Sequence, residues 1–165
     1  MVAVKHLKEQ IQTVLEEVKD PEIPSISLVE LGMLYDIIIK DDVVEIKLIP
    51  TFVGCPALEI ISRDVKKAIS NNIEWVTKVE VDYVFDESWT TERISAEGRE
   101  KLKEYGISPP PANHKEGDPW NVDCPYCGST YTTMENIFGP AACRSILYCR
   151  SCKNPFEAMK PVSTL

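Results

Sequence analysis

Four cysteines near the C-terminus form two C-x2-C pairs, Cys124 with Cys127 and Cys149 with Cys152. About 21 residues separate the pairs, a spacing that suits a small β-ribbon which folds back and brings four thiolates to one tetrahedral metal ion. Gly128 follows the first pair, and a glycine there lets the backbone turn with positive φ and aim N–H groups at sulfur. The spacing therefore predicts a structural metal site with no open coordination position.

Two disulfides are the alternative use of these cysteines, and they would need an oxidising compartment. The first residues, Met-Val-Ala-Val-Lys-His-Leu-Lys-Glu, contain no apolar core of a secretory signal, and the chain has no run of about 18 apolar residues that could span a membrane. We therefore expect a cytoplasmic protein that holds a metal. Zinc is favoured, and a rubredoxin-like iron or a cluster is the second choice, because four thiolates suit both.

Cys143 lies between the two pairs, beside Arg144. The four-ligand site is complete without it. Cys143 is open to three interpretations, as a spare ligand, as an exposed thiol beside an arginine, or as a packed free cysteine, and the last is favoured.

A sixth cysteine stands in a different context, in the segment Thr51-Phe-Val-Gly54-Cys55-Pro56 between a predicted strand and a predicted helix. Pro56 fits the first helical turn, because its missing N–H would have no partner there. Cys55 then falls near the N-cap, where backbone N–H groups and the helix dipole favour a thiolate. Gly54 allows a sharp turn and close approach by a partner. Either a reactive or metal-binding thiol or an inert core cysteine fits this pattern.

A nucleophilic cysteine normally has a neighbouring base, most often histidine. The chain has only His6, at the start of the first predicted helix, and His114, in a proline-rich segment, and neither suits that role. We therefore expect Cys55 to bind a metal, a cluster or another protein, and the chain not to be a cysteine hydrolase.

A rigid acidic loop, Asp20-Pro-Glu22-Ile-Pro, follows the first predicted helix. Its prolines are explained by a helix stop and a solvated turn, because the residue before a proline avoids the α region. That explanation does not require Glu22. If the loop folds over the Cys55 turn, a carboxylate stands beside the thiol.

The elements predicted before residue 107 alternate between helix and strand. In chain order they are a helix with Leu7, Ile11, Val14, Leu15 and Val18 on one face, strands over 33–40 and 43–49, a helix over 56–70, a strand over 75–85 and a helix over 95–105. This α-β-β-α-β-α order contains a strand–helix–strand crossover, which pairs its strands in parallel and makes the small sheet mixed. Residues 107–119 include three consecutive prolines, so we predict a linker between a domain at 1–106 and the ribbon at 120–165.

Charge argues against a nucleic-acid partner. The net charge is −8, with 14 basic and 23 acidic side chains in residues 1–119 and four basic and three acidic ones in residues 120–165. Phosphate binding needs a clearly basic surface, and neither segment supplies one.

Several motifs carry a family resemblance. They are Asp20-Pro-Glu-Ile-Pro, Leu31-Gly32, Thr51-x-x-Gly-Cys-Pro, Trp89-Thr-x-x-Arg-Ile-Ser, Gly106-Ile-Ser-Pro-Pro and the ribbon, which runs from Cys124-Pro-Tyr-Cys-Gly through Phe138-Gly-Pro-Ala-Ala-Cys to Cys149-x-x-Cys and Pro155-Phe. The first four resemble the family of small iron–sulfur assembly proteins that includes SufT and the eukaryotic cytosolic targeting factors. Together with the ribbon they resemble the PaaD family of phenylacetate-pathway accessory proteins. The resemblance covers nearly the whole chain.

The resemblance implies an α/β (α+β) domain followed by a zinc ribbon. It also implies a part in assembling or transferring an iron–sulfur cluster to a client, the reductase of the phenylacetyl-CoA monooxygenase system. It makes Cys55 the functional thiol and Asp20 and Glu22 its acidic loop. The alternative is a non-catalytic structural subunit of that oxygenase.

We interpret the protein as a maturation factor and not as an enzyme. The helix N-terminus is expected to lower the pKa of Cys55, so that its thiolate can transiently hold an iron–sulfur cluster. Thr51, Gly54 and Pro56 form the supporting turn. The expected partners are a client iron–sulfur protein or the oxygenase and reductase components, with no nucleic acid and no membrane, and homodimer formation stays open.

Overall fold

A computed structural model describes residues 2–161 of the chain. Two compact units follow one another along it, residues 1–88 and residues 89–165. None of the helices in the described part is long and apolar enough to cross a membrane.

The first unit consists of two helices and a three-stranded sheet. Its elements are α1 (Val2–Leu15), β1 (Leu34–Lys40), β2 (Val43–Leu48), α2 (Leu58–Asn72) and β3 (Lys78–Tyr83). The strand order is β1-β2-β3, in which β1 pairs with β2 antiparallel and β2 pairs with β3 in parallel. The mixed sheet and the hairpin between 40 and 43 are thus as predicted. Asp41 has a φ of 55° in the tight connection of that hairpin.

Apolar periodicity builds the core of this unit. Alternate β2 residues Val44, Ile46 and Leu48 are fully buried, as expected for a central strand with one face on the core. The helices contribute Ile11 and Leu15 from α1 and Ile61, Val65 and Ile69 from α2. Helix α1 ends at Leu15, earlier than its apolar pattern, although Val18 still reaches the core.

The segment between α1 and β1 is held by short-range side-chain bonds. The Asp20 Oδ1 accepts hydrogen bonds from the backbone N–H groups of Glu22 and Ile23, at 2.8 and 3.0 Å. Ser27 and Glu30 form a reciprocal pair, in which each side chain accepts from the other residue's N–H at 3.1 and 2.9 Å. These bonds fix the acidic loop in place and so determine where its carboxylates lie.

The second unit contains a helix and a four-stranded sheet. Its elements are a 3-10 turn (Thr91–Arg93), α3 (Ala96–Glu104), β4 (Ile107–Ser108), β5 (Thr132–Asn136), β6 (Arg144–Cys149) and β7 (Pro155–Met159), with strand order β4-β7-β6-β5. The Ser95 hydroxyl caps α3 by accepting from the Gly98 N–H at 3.0 Å. Gly106 follows the helix with a φ of 90°, a conformation that glycine adopts readily after a helix C-terminus.

The compact units differ from the predicted segments 1–106, 107–119 and 120–165. Ile107 and Ser108 were expected to begin a linker, but they pair in parallel with Glu157 and Ala158 of β7. Helix α3 contacts β4, and it therefore groups with the ribbon strands. The prolines after β4 are also anchored, because the Arg99 guanidinium donates to the carbonyl of Pro110 and the Thr91 hydroxyl donates to that of Pro111.

Candidate functional site

The four ribbon cysteines converge as their spacing predicts. All four sulfur atoms lie within 4.8 Å of one another. The Sγ atoms of Cys124 and Cys152 are 3.7 Å apart, and those of Cys127 and Cys149 are 3.6 Å apart. Four thiolates about 2.3 Å from a tetrahedral zinc ion would be separated by about 3.8 Å, so the donor set fits the metal.

Both cysteine pairs are carried by the same backbone turn. The residue after each pair, Gly128 or Lys153, has positive φ (71° and 63°), and its N–H donates to the carbonyl of the first cysteine at 2.9 Å. In Cys149-x-x-Cys152 the N–H of Cys152 also points at the Cys149 Sγ, 3.5 Å away. This N–H is the largest of several causes that lower the pKa of the Cys149 thiol to about 6. Burial raises the pKa of Cys124, and burial with the neighbouring thiols raises that of Cys127 although the Ser129 N–H lowers it, so in the metal-free cluster the thiolate form is favoured at Cys149.

Cys143 is half-buried, forms no disulfide and lies outside this cluster. Its carbonyl accepts a hydrogen bond from the Lys160 N–H at 2.9 Å, and the loop that carries it lies between β5 and β6. This placement agrees with a packed cysteine and gives it no part in the four-sulfur group.

The second candidate site lies in the loop between β2 and α2. Cys55 is half-buried, and its N–H donates to the Phe52 carbonyl at 3.1 Å. The predicted helix start is wrong by two residues, because α2 begins at Leu58 with Ala57 as its N-cap residue. Pro56 therefore lies in the turn before the helix, and Cys55 is not the N-cap residue.

The pKa of Cys55 moves in the opposite direction from the one expected. Burial raises the pKa of this thiol, and the negative charges of Glu22 and Asp20 raise it further. The N–H of Ala57 lowers the pKa, but this one backbone group does not outweigh burial and the two carboxylates. The sequence indicates a helix N-terminus, which lowers a thiol pKa, but it does not show how deeply the thiol is buried.

Among the predicted site residues, the structure brings Asp20 and Glu22 close enough to Cys55 for their charges to act on it. Thr51 is half-buried in the same loop as the thiol. Gly54 lies in the turn that the Cys55 N–H closes on the Phe52 carbonyl, and its φ is not in the left-handed region. A Cβ built at Gly54 would lie 3.1 Å from the Phe52 ring, so the glycine lets that ring pack on the backbone beside Cys55.

Tyr83 is a neighbour of the thiol that sequence reasoning placed only in a strand. Its hydroxyl donates to the Leu58 carbonyl at 2.8 Å and accepts from the Ser62 hydroxyl at 3.3 Å. Burial raises the pKa of Tyr83, and Cys55 raises it further once that thiol is ionised. It could have been found from topology, because the C-terminal ends of the parallel strands β2 and β3 lie at one edge of the sheet.

Exposed apolar side chains accompany this site. Phe52 and Val53 are exposed beside Cys55, and Phe85 is exposed after β3, with its ring centroid 6.3 Å from that of Tyr83. A half-buried thiol with carboxylates on one side and apolar side chains in its own loop can ligate a metal species while a partner covers it.

Two family models match separate parts of the chain. Residues 8–82 match an iron–sulfur cluster assembly protein family, and residues 108–160 match the PaaD zinc β-ribbon domain.

Three relatives and neighbours extend these matches. A protein of Escherichia coli K12 named as a putative subunit of 1,2-phenylacetyl-CoA epoxidase is 36% identical over 152 residues, which are 92% of this chain and 91% of that protein. The Fe-S protein maturation auxiliary factor YitW of Bacillus subtilis is 39% identical over 90 residues, 54% of this chain and 86% of YitW. A crystal structure of a DUF59 domain from Bacillus anthracis superposes with a TM-score of 0.56 at 32% identity, covering 59% of this chain and 92% of that one.

Proposed function

We propose that this chain, which belongs to the PaaD family and joins an iron–sulfur cluster assembly domain to a zinc β-ribbon, delivers iron or an iron–sulfur cluster to a client protein through Cys55. The observation that carries the proposal is the half-buried Cys55 thiol with the Glu22 and Asp20 carboxylates acting on it. The names of two relatives as Fe-S maturation factors support it.

The raised pKa gives the site a defined acid–base behaviour. Near neutral pH the free thiol keeps its proton. When iron approaches, the S–H bond breaks, the proton goes to solvent and the sulfur pair bonds to the metal, so binding releases one proton. Glu22 and Asp20 disfavour the bare thiolate but attract the cation, and they therefore oppose ionisation and favour loading.

The iron or cluster can be released because Cys55 supplies only one sulfur ligand. One sulfur that must lose a proton holds iron less firmly than four sulfurs do, so a client with a complete cysteine set can take the cluster. The ribbon cysteines Cys124, Cys127, Cys149 and Cys152 would hold a zinc ion that cross-links the β-ribbon.

The proposed client is the reductase of a phenylacetyl-CoA monooxygenase system. The E. coli relative, which matches nearly the whole length of this chain, is named as a subunit of a phenylacetyl-CoA epoxidase. A reductase is the component of such a system that needs an iron–sulfur centre to pass electrons.

The decisive experiment compares cluster content of the co-expressed reductase with wild-type protein and with Cys55→Ser. We expect the variant to fold and bind zinc normally and to leave the reductase without its cluster. Cys143→Ser is the matched control, because Cys143 is also half-buried and forms no disulfide, and it should support maturation fully. Normal cluster content of the client with Cys55→Ser would reject the proposal.

A structural subunit of the oxygenase is the second candidate, and the name of the E. coli relative favours it. The two functions differ in stoichiometry. A maturation factor should act at low amounts and be absent from the working complex, whereas a structural component should co-purify at a fixed ratio and be required for turnover after the reductase is fully loaded.

A further inference from the structure

The outer face of the ribbon sheet carries an open cleft of about 590 Å³. Along β6 and β7, side chains alternate between the two faces of the sheet. Leu147, Cys149, Phe156 and Ala158 point into the ribbon core. The alternate residues Ile146, Pro155 and Glu157 line the cleft on the other face.

Aromatic side chains form the walls of this cleft. Tyr105, at the end of α3, and Tyr126, between Cys124 and Cys127, are both exposed and both line it. Phe138, from the loop between β5 and β6, lines it as well and is 73% exposed. Large exposed rings around a concave surface are typical of recognition sites.

Hydrogen bonds hold the backbone of the loop that carries Phe138. The Gly139 N–H donates to the Arg144 carbonyl at 2.9 Å, and a Cβ at Gly139 would lie 2.8 Å from that oxygen. Lys160 donates through Nζ to the Ala142 carbonyl at 2.8 Å and lies 5.3 Å from the centre of the Phe138 ring. A loop whose backbone is already ordered loses little conformational entropy when a partner binds.

Hydrogen-bond donors dominate the polar groups of the cleft. Arg144 is 7% exposed, its Nη1 donates to Glu157 at 2.6 Å, and its buried Nε has no partner. The Glu157 carboxylate is therefore already engaged. Within residues 2–161 the Tyr105 and Tyr126 hydroxyls make no hydrogen bond to protein, so both are available to donate. An occupant that offers carbonyl oxygens and no N–H groups would match these donors.

We infer that this cleft binds an uncharged, proline-rich extended segment of a partner protein. Proline rings pack on aromatic side chains, and a run of prolines offers carbonyl acceptors to the tyrosine hydroxyls. The Arg144–Glu157 ion pair leaves the floor of the cleft neutral, which disfavours a charged occupant. The wide opening suits a segment that passes through, because a small ligand would be mostly enclosed.

The triple proline of this chain does not supply the occupant. The Pro110 and Pro111 carbonyls already accept hydrogen bonds from Arg99 and Thr91, and Pro110 is buried. The occupant is therefore a segment of a different protein. The inference rests on the proposed function where that partner is the client, and it assigns client docking to a part of the molecule that lacks Cys55.

An end-capped ten-residue proline peptide tests the inference on the full-length zinc-loaded protein by calorimetry and amide chemical shifts. We expect saturable binding with shifts at Gly139 and Glu157, and no binding of an end-capped Gly-Ser peptide of the same length. Phe138→Ala should weaken binding at least about tenfold. Tyr131→Ala is the matched control, because Tyr131 is 63% exposed on the same ribbon and does not line the cleft, and it should bind normally.

Tyr105→Phe isolates the hydroxyl, because it keeps the ring. Loss of one hydrogen bond should weaken peptide binding about threefold, and an unchanged affinity would overturn the donor argument. Failure of the proline peptide to bind, or saturable binding of benzoate in its place, would overturn the inference as a whole.

Cys55→Ser separates this inference from the proposed function. It should bind the peptide as wild type does. If the peptide binds and Cys55→Ser still matures the client normally, the proposed function is wrong and the cleft inference is supported. If the peptide does not bind and maturation still requires Cys55, the cleft inference is wrong and the proposed function is supported.

Discussion

The two sulfur sites of this chain are built in opposite ways. The ribbon gathers four cysteines within 4.8 Å and aims a backbone N–H at Cys149, which lowers the pKa of that thiol to about 6. The loop after β2 leaves Cys55 half-buried among carboxylates that raise its pKa. Four sulfurs that can share one metal ion suit a metal that stays, and one thiol that holds its proton suits a metal that leaves.

The largest expected effect is the loss of the ribbon when one of its ligands is removed. Cys149→Ser should abolish zinc binding, because structural zinc contributes about 10–16 kcal/mol in small domains and the ribbon has little other core. Hydrogen exchange should show lost protection in β5, β6 and β7 and intact protection in β1, β2 and β3. Cys143→Ser should keep both zinc and protection, and the same loss in that variant would remove the distinction between these cysteines.

Smaller effects are expected at Cys55, on the reactivity of its thiol and on cation binding. Glu22→Gln removes a negative charge that raises the thiol pKa, so alkylation of Cys55 by iodoacetamide should be a few-fold faster between pH 7 and 9. The same variant should bind a divalent cation more weakly, because the charge that attracts the cation is gone. In both proteins the alkylation rate should rise with pH and level off above the thiol pKa, with the midpoint of Glu22→Gln at lower pH.

Cobalt(II) titration measures the cation binding, because cobalt–thiolate bonds give a visible absorption band. Zinc binds the ribbon cysteines more tightly than cobalt, so the band reports Cys55. Site-resolved mass spectrometry measures the alkylation rate of Cys55. Glu16→Gln makes the same charge change at an exposed position of the first unit and should alter neither quantity. A Glu22→Gln protein that is both more reactive and better at binding cobalt would contradict the role given to this carboxylate.

The smallest effect concerns the turns that carry the ribbon cysteines. Gly128→Ala should destabilise the zinc-loaded ribbon by about 1 kcal/mol, because alanine is strained at positive φ even though the space around Gly128 is empty. Lys153→Gly relieves the same strain in the other turn and should raise stability by less than that amount. Thermal unfolding of the zinc-loaded protein measures both, and equal signs for the two changes would show that φ does not control these turns.

Local patterns predicted most of the elements correctly. The alternation of Val44, Ile46 and Leu48 identified a central strand, and the spacing of Ile61 and Val65 identified α2. Proline was misleading, because Pro56 suits a first helical turn but lies before the start of α2. Two residues of strand, Ile107 and Ser108, were hidden in a proline-rich run because their pairing partner lies about 50 residues away in the sequence.

The metal site was readable because its information is local: two short turns and four identical ligands leave few other arrangements. The Cys55 site was readable only in its residue types. The sign of its pKa shift depends on burial and on a loop more than 30 residues earlier, and neither has a local signature.

By itself the sequence determined the zinc ribbon, the mixed α and β elements and the presence of a single cysteine, Cys55, before the ribbon, because these depend on spacing, periodicity and side-chain chemistry. Tertiary structure alone decided that Cys55 keeps its proton, that Tyr83 stands beside it, and that three aromatic side chains from separate segments surround one cleft. Solvation, charge proximity and concavity are properties of assembled surfaces, so no stretch of chain carries them on its own.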